Sequence, residues 1–156
     1  MTDRAPVPAK DDFRAFMGTA EPRLQRALVA RFGWERGRET AAEALGYAWE
    51  HWTRVQKMDN PVGYLYRVGQ SRVRTLKIRP IFDRPEAAEH WFEPSLARLL
   101  SELPARQRVA VVLIHGYGWT TQEVADLLGV QSTTVQTHLA RGLTRLRQEL
   151  EVDDRV

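Results

Sequence analysis

The chain has 156 residues, of which 43% are hydrophobic and 28% are charged, so it is apolar enough to fold and is not a disordered chain. It contains no cysteine, which excludes disulfides, thiolate metal ligands and a cysteine nucleophile and is typical of a reducing compartment, the cytoplasm by default. No run of about 20 apolar residues is present and the N-terminus lacks an apolar signal core, so neither membrane insertion nor secretion is expected.

The net charge of +3 is a sum of blocks of opposite sign. Residues 1–80 and 105–148 are basic, whereas residues 81–104 and 149–156 are acidic. This order is typical of two lobes that each meet a polyanion, and it is equally compatible with the solvated surface of an ordinary helical protein. Arginine outnumbers lysine by 20 to 3, which favours bidentate contacts to phosphates or bases and is also what a GC-rich genome produces.

Helical periodicity is present through most of the first basic block. Residues 1–11 contain prolines and charges without periodicity, and we expect a flexible arm there. Apolar residues at helical spacing over Phe13–Phe32 predict two short helices, or one helix broken at Pro22. A stripe over Thr40–Val55 that includes two tryptophans predicts a further helix.

A turn separates that helix from the next one. Asp59 and Asn60 favour turns, and Pro61 disfavours helical geometry in the residue before it. Pro61 suits the first turn of a new helix capped by Asn60 or Asp59, and the apolar spacing extends this helix to Leu76. The acidic, proline-interrupted stretch 80–94 is predicted to be a linker.

The C-terminal part, residues 95–150, is predicted to end in a helix-turn-helix. Thr120 or Thr121, with Glu123, makes a capped start for a short helix, and Gly129 provides the turn. Ser132 with Thr133 offers a cap for the second helix. Its predicted buried stripe is Val135, Leu139, Gly142 and Leu146. Two further helices are expected upstream and nothing supports a sheet, so the predicted fold is all-α, with two small helical domains joined by the linker.

The outward face of the second helix carries short polar groups near its N-terminus. Such groups can reach base edges when a helix lies in the major groove of DNA. A plain helical hairpin would share the apolar spacing, but it would not need Gly129 and a polar outward face together. The candidate readers are Ser132, Thr133, Gln136, Thr137 and Arg141, with Arg145 and Arg147 placed for phosphates.

These residues carry a resemblance to a known family. The relevant runs are Leu103-Pro-Ala-Arg-Gln-Arg-Val-Ala-Val-Val-Leu113, Gly118-Trp-Thr-Thr-Gln-Glu-Val-Ala-Asp-Leu-Leu-Gly-Val130, Leu139-Ala-Arg141 and Leu146-Arg147. They are similar to region 4 of bacterial RNA polymerase sigma factors of the small extracytoplasmic-function group. The Leu-Pro-x-x-x-Arg opening makes this resemblance more specific than a generic helix-turn-helix.

The first basic block resembles region 2 of the same group less sharply. The matching runs are Glu39-Thr-Ala-Ala-Glu-Ala-Leu-Gly-Tyr-Ala-Trp49, Asn60-Pro61 and Tyr64-Leu-Tyr-Arg-Val68. The resemblance implies a region 2-like domain over 12–79, the acidic linker over 80–94, a region 4-like domain over 95–150 and an acidic tail over 151–156. It implies no enzymatic activity.

The resemblance also implies roles for individual residues. Core polymerase would bind Glu39, Glu43 and Trp49. The two glutamates would equally suit a solvent-exposed helix face that binds nothing. Ala42 replaces a glutamine that is usual in the family. The minus-ten element would contact a specificity loop and the helix after it, at Lys57, Met58, Asp59, Asn60, Tyr64, Arg67, Ser71 and Arg74. The minus-thirty-five element would contact the second helix of the helix-turn-helix, where His138 stands in a position at which arginine is common.

The partners implied are core RNA polymerase and promoter DNA, with an anti-sigma factor as a further candidate. No cofactor, metal or small-molecule substrate is implied. A competing interpretation is a stand-alone helix-turn-helix regulator without initiation activity, suggested by Ala42, Gly46 and Ser71. An enzyme is a third class, which neither the spacing of the four histidines nor any Gly-rich phosphate loop supports.

Overall fold

Helices make up most of the computed structural model, which describes residues 7–73, 80–82 and 94–155. Within these ranges the β pairing is a single parallel bridge between Gly33 and Ile81, so the predicted all-α class is confirmed. We call residues 7–73 and 80–82 the first lobe, and residues 94–155 the second lobe. The helices are α1 (Val7–Phe32), α2 (Trp34–Glu50), α3 (Trp52–Val55), α4 (Pro61–Val73), α5 (Pro94–Glu102), α6 (Ala105–Val111), α7 (Thr121–Leu128) and α8 (Ser132–Asp153), and a π-helical turn spans Val112–Gly116.

Helix α1 is one continuous helix that runs through Pro22. The predicted break is therefore wrong, and the predicted arm 1–11 overlaps the start of this helix. Proline removes one backbone donor and crowds the carbonyl four residues earlier. Ala20 and Leu24, on either side of it, are both buried in the same core, so tertiary packing offsets that cost.

Two glycines let α1 and α2 pack closely. Gly33 has a φ of +87°, a left-handed conformation that favours glycine, and it reverses the chain between the two helices. A Cβ at Gly37 would lie 2.4 Å from the Cα of Val29, so the helices cross where no side chain fits. Helix α2 consequently begins at Trp34, earlier than the predicted Thr40.

Helix α2 ends at Glu50 rather than continuing to Val55 as predicted. His51 is non-helical, with φ −115° and ψ 26°, and the short helix α3 follows it. This bend turns Trp52 and Val55 into the core, where both are buried. The bend also changes the direction of the chain just before the turn at residues 56–60.

The helix-turn-helix forms as predicted. Thr120 caps α7 with a reciprocal capping box, because its hydroxyl accepts from the Glu123 amide and the Glu123 carboxylate accepts from the Thr120 amide. Gly129 ends α7 in the left-handed conformation, at φ +66°. On α8, Val135, Gly142 and Leu146 are buried, while Leu139 is half-buried and packs against the core.

The predicted cap of α8 is wrong. Gln131 occupies the cap position without a side-chain hydrogen bond, and Ser132 is the first helical residue. The Ser132 hydroxyl instead donates to Oε1 of Gln122 on α7, at 2.8 Å. Ser132 therefore links the two helices of the motif.

A buried arginine joins the two lobes. Arg108 on α6 is 5% exposed, and its guanidinium donates to the carbonyls of Ala30 (2.9 Å), Arg31 (2.5 Å) and Leu103 (2.6 Å). Ala30 and Arg31 lie in the last turn of α1, whose carbonyls lack helical partners. Burial, with help from nearby Arg31, lowers the pKa of Arg108 to about 10, so the group remains protonated at neutral pH.

The segment 80–82 lies against the start of α2 within the first lobe. The amide of Trp34 donates to the carbonyl of Ile81 at 2.9 Å, which satisfies a free donor at the start of α2. A Cβ on Gly33 would approach the Ile81 backbone to 2.5 Å, so a glycine is required at this contact. In the described ranges, no helix is long and apolar enough to cross a bilayer.

Candidate nucleic-acid interface

The N-terminal half of α8 presents an open polar face. Thr133, Gln136, Thr137 and Arg141 are exposed, and Arg145 extends the same helix as a further exposed cation. Ser132 is half-buried and is held by Gln122, so it is less available than the other predicted readers. The four exposed predicted readers occupy one end of a helix that α7 and α6 hold from behind, a geometry that suits insertion into a major groove.

His138 lies on α8 among positive charges. Its ring is half-buried, and within the described part of the chain Nε2 is buried without a hydrogen-bond partner. Burial is the main cause that lowers the pKa of His138, and the charges of Arg106 and Arg141 lower it further. The imidazole is therefore neutral at pH 7 and supplies no cation to this face.

The turn at residues 56–60 presents the predicted specificity loop. Lys57 and Asp59 are exposed, and Met58 is half-buried, so the loop offers charged and apolar groups side by side. The Asn60 side chain is doubly engaged. Its Oδ1 accepts from the Gly63 amide at 3.0 Å, which confirms Asn60 as the cap of α4, and its Nδ2 donates to the Asp126 carbonyl of the second lobe at 2.9 Å.

Two tyrosines and an arginine form a hydrogen-bonded cluster at the base of this loop. Arg54 of α3 donates through Nη2 to the hydroxyls of Tyr47 (2.5 Å) and Tyr64 (2.7 Å), which are 3.0 Å from each other. The Tyr47 ring also stacks on His51, with centroids 4.1 Å apart. The hydrogen bond with Tyr47 is the main cause that raises the pKa of Tyr64, so the Tyr64 hydroxyl stays protonated at neutral pH. Helices α2, α3 and α4 are thereby tied together at the base of the loop.

Tyr47→Phe tests whether this cluster holds the loop in shape. The change removes one acceptor from Arg54, which we expect to lower the free energy of unfolding by about 1 kcal/mol. We also expect amide hydrogen exchange over residues 57–60 to become about fivefold faster, because the local opening free energy falls by a similar amount. Tyr117→Phe, which removes a hydroxyl from the second lobe and keeps the ring, is the matched control. Unchanged exchange in the Tyr47 variant would show that the loop does not depend on the cluster.

Helix α4 places the other predicted minus-ten residues on one face. Tyr64, Arg67 and Ser71 recur at helical spacing, and Arg67 and Ser71 are exposed. The Ser71 hydroxyl donates to its own helix, at the Val68 carbonyl 2.7 Å away. Arg74, the last residue predicted for this face, lies outside the described residues.

The outer face of α2 is an open stripe. Its exposed residues recur at helical spacing and include two carboxylates, two small residues and a tryptophan: Glu39, Ala42, Glu43, Gly46 and Trp49. Trp49 is 43% exposed although its ring lies 4.9 Å from that of Phe13. Glu43 pairs with Arg72 of α4 at 3.9 Å, an exposed contact of small energetic value.

Tyr47 and Arg54 were not predicted as site residues. They are seven residues apart on the stretch predicted as one helix, a spacing that puts two side chains on the same face. That spacing, together with Tyr64 beyond the turn, is the signal that sequence reasoning did not use. In the described part of the chain, no three His, Asp or Glu side chains gather to hold a metal ion.

The chain is similar to proteins of one family. The family model "Sigma-70, region 4" matches residues 94–146. The RNA polymerase sigma-E factor of Streptomyces coelicolor is 32% identical over 123 residues, which covers 71% of this chain and 70% of that protein. The sigma-E factor of Streptomyces avermitilis is 37% identical over 89 residues, and the chain spans about half of its length, 50%. The ECF RNA polymerase sigma factor SigM of Mycobacterium tuberculosis is 34% identical over 73 residues, 47% of this chain and 36% of that protein.

A solved structure has the same fold. The sigma factor RpoE from Bartonella quintana, crystallised with the anti-sigma factor NepR, matches with a TM-score of 0.66 over 91% of this chain and 98% of its own, at 20% identity. At this sequence identity the match shows that the two proteins share the same arrangement of helices. The 32% identity over 70% of the S. coelicolor protein, together with the region 4 match and the similarity to SigM, shows that the chain belongs to the extracytoplasmic-function group of RNA polymerase sigma factors.

Proposed function

We propose that this protein is a sigma factor that binds core RNA polymerase, directs it to promoters and helps to melt them. It acts as a non-enzymatic subunit in the bacterial cytoplasm, where the polymerase and the chromosome are. Its partners are core polymerase and promoter DNA, and an anti-sigma factor is included among the candidates because RpoE of B. quintana was crystallised with one. The open polar face of α8, held by a capped α7, is the observation that carries the proposal.

The α8 face supports recognition of the minus-thirty-five element. Gln136 can pair with adenine in the major groove, and the methyl group of Thr133 or Thr137 can contact thymine. Arg141 and Arg145 are positioned further along the helix for phosphates or guanine. The polar residues stand at the N-terminal end of α8, which is the end that enters the groove in helix-turn-helix proteins.

The loop at residues 57–60 and the exposed face of α4 support minus-ten recognition. Melting requires a base to leave the stack, at a cost of a few kcal/mol that contacts to the extruded base must offset. Met58 offers an apolar wall, Asp59 offers hydrogen-bond acceptors, and Arg67 offers a cation for the single-strand backbone. A loop whose base is held by the Arg54 cluster loses less conformational entropy when it binds the extruded base.

The outer face of α2 supports binding of core polymerase. An exposed tryptophan is the side chain most often found at the energetic centre of protein interfaces. Ala42 and Gly46 leave the stripe shallow beside Trp49, so a partner helix can approach closely. Glu39 and Glu43 would then meet basic residues on the partner.

Core-dependent transcription is the decisive test. Purified protein and core polymerase should select promoter sequences from random DNA and support run-off transcription from them. A footprint with core polymerase but none without it distinguishes a sigma factor from a stand-alone regulator. Failure to bind core polymerase at all would contradict the proposal.

His138→Arg should strengthen promoter binding. The wild-type imidazole of His138 is neutral at pH 7 because its pKa is lowered, so replacing it with arginine adds one positive charge to the DNA-facing lobe. If that charge meets a phosphate, the slope of log affinity against log salt should steepen by about 0.9 for holoenzyme on a selected promoter. Gln148→Arg, which adds the same charge further along α8, is the control.

The same lowered pKa predicts how wild-type binding varies with pH. A histidine whose pKa lies below its ordinary value gains its proton only at pH values below about 6.5. Protonation of His138 should therefore not raise the affinity for the promoter between pH 8 and pH 6.5. A rise over that range in the wild type that is lost in His138→Gln would contradict this assignment.

A further inference from the structure

A chain of side-chain hydrogen bonds links the two helices of the helix-turn-helix. The hydroxyl of Ser132, the first helical residue of α8, donates to Oε1 of Gln122 on α7 at 2.8 Å. The amide nitrogen of the same Gln122 donates to Oδ1 of Asp126, one turn further along α7, at 2.9 Å. Gln122 and Asp126 are both exposed, so these hydrogen bonds, rather than close packing, set the orientation of the Gln122 amide.

The carboxylate of Asp126 fixes the direction of each bond in this chain. An ionised carboxylate has no hydrogen to donate, so Gln122 must turn its amino group towards Asp126. The amide oxygen of Gln122 then faces Ser132, and because that oxygen can only accept, the hydroxyl hydrogen of Ser132 is committed to it. The Ser132 oxygen keeps its two lone pairs and can only accept a hydrogen bond from DNA.

This direction limits the bases that Ser132 can read. In the major groove, adenine and cytosine each present an amino group that donates, whereas guanine and thymine present only acceptors. A serine with a free hydroxyl can turn to donate or to accept, and so pairs with bases of either class. Ser132 stands four residues before Gln136, on the same face of α8, so the two side chains meet neighbouring base pairs.

We propose that Gln122 and Asp126 are positioning residues that set the base preference of Ser132, which then selects adenine or cytosine at one position of the minus-thirty-five element. The inference rests on the proposed function of α8 in reading that element. Gln122 and Asp126 need not touch a base in this role. They act through the direction of the Ser132 hydroxyl, whereas Gln136 contacts DNA itself.

Asp126→Asn tests the proposal with almost no change in shape. The introduced amide can donate to the oxygen of Gln122, so Gln122 can turn its amino group towards Ser132 and leave the hydroxyl free to donate to DNA. The hydrogen bond from Asn60 reaches the backbone carbonyl of Asp126, so this substitution keeps it.

A double variant reverses the effect of that substitution. Gln122→Glu/Asp126→Asn exchanges the amide and the carboxylate between the two positions and leaves the net charge unchanged. The carboxylate introduced at position 122 can only accept, so the Ser132 hydroxyl again becomes a committed donor. Asp154→Asn, which removes one negative charge from an exposed position at the end of α8, is the matched control for Asp126→Asn.

Selection of promoters from random DNA by the holoenzyme measures the base preference at each position. The wild type should favour adenine and cytosine over guanine and thymine by about tenfold at one position, next to the position that Gln136→Ala relaxes. Asp126→Asn should lower this preference to about twofold at that position alone, and Gln122→Glu/Asp126→Asn should restore it. Ser132→Ala should remove the preference, and Asp126→Asn should have no further effect in the Ser132→Ala background. Asp154→Asn should leave every preference unchanged.

Three results would overturn the inference. The first is a wild-type preference for guanine or thymine, or no preference, at the position that Ser132 faces. The second is an unchanged preference in Asp126→Asn. The third is a double variant that stays relaxed, because the loss would then come from altered packing and not from the direction of the hydroxyl. A failure of the proposed function differs from all three, since the wild-type holoenzyme would then select no minus-thirty-five element and Gln136→Ala would have no position to relax.

Discussion

Replacing Arg108 with methionine is expected to lower the free energy of unfolding by about 3–5 kcal/mol. Arg108 is 5% exposed, and its guanidinium donates to the carbonyls of Ala30, Arg31 and Leu103. Methionine fills similar space but leaves all three carbonyls without this donor. Since small proteins are stable by about 5–15 kcal/mol, the loss would be a large share of the total.

Urea denaturation followed by circular dichroism measures this change. Arg108→Lys should lie between the methionine variant and the wild type, because lysine keeps the charge but cannot donate in three fixed directions. Arg14→Met, at an exposed position of α1, is the control and should change stability by less than about 0.5 kcal/mol. A methionine variant as stable as the wild type would show that the buried guanidinium gives no net stabilisation.

Trp49→Ala is expected to weaken binding to core polymerase by about 30-fold, or about 2 kcal/mol. Trp49 is 43% exposed at the end of the open α2 stripe, and truncation removes the largest apolar side chain that the stripe can offer. Glu39→Lys should weaken binding further by reversing a charge in the same stripe. Competition against labelled wild-type protein for a limiting amount of core polymerase measures both effects.

Two controls separate binding from folding. Val152→Ala removes an exposed apolar side chain from the second lobe and should leave affinity for polymerase unchanged. Thermal unfolding of the Trp49 variant measures what is lost with the Phe13 contact, which lies 4.9 Å from the indole ring. If both stripe variants bind core polymerase as tightly as the wild type, the α2 face is not the one that the polymerase uses.

Features that depend on neighbouring residues were predictable from the sequence. The capping box of Thr120 and Glu123, the left-handed Gly129 and the buried Val135 all follow from rules that involve a few positions along one helix or turn. The cap of α4 by Asn60 follows in the same way. The helix-turn-helix, most of its helix boundaries and the exposed polar face of α8 were therefore predictable from the sequence.

Features that depend on distant residues were not predictable. The second hydrogen bond of Asn60 joins residues 66 positions apart, and two of the three hydrogen bonds of Arg108 join residues 77 and 78 positions apart. Likewise, the need for a glycine at position 37 arises from the crossing with α1 at Val29, which local pattern does not show. Only the folded structure identifies the distant partners of Asn60 and Arg108 and the helix that Gly37 crosses.

The long sequence separation of the Arg108 contact has a consequence for protein synthesis. Arg108 is translated 77 residues after Arg31, which takes about 4–15 s at the usual rate of 5–20 residues per second. During that time the carbonyls at the end of α1 lack the guanidinium, and the Asn60 amide lacks its acceptor on the second lobe. In a growing chain the contact between the lobes is thus among the last to form.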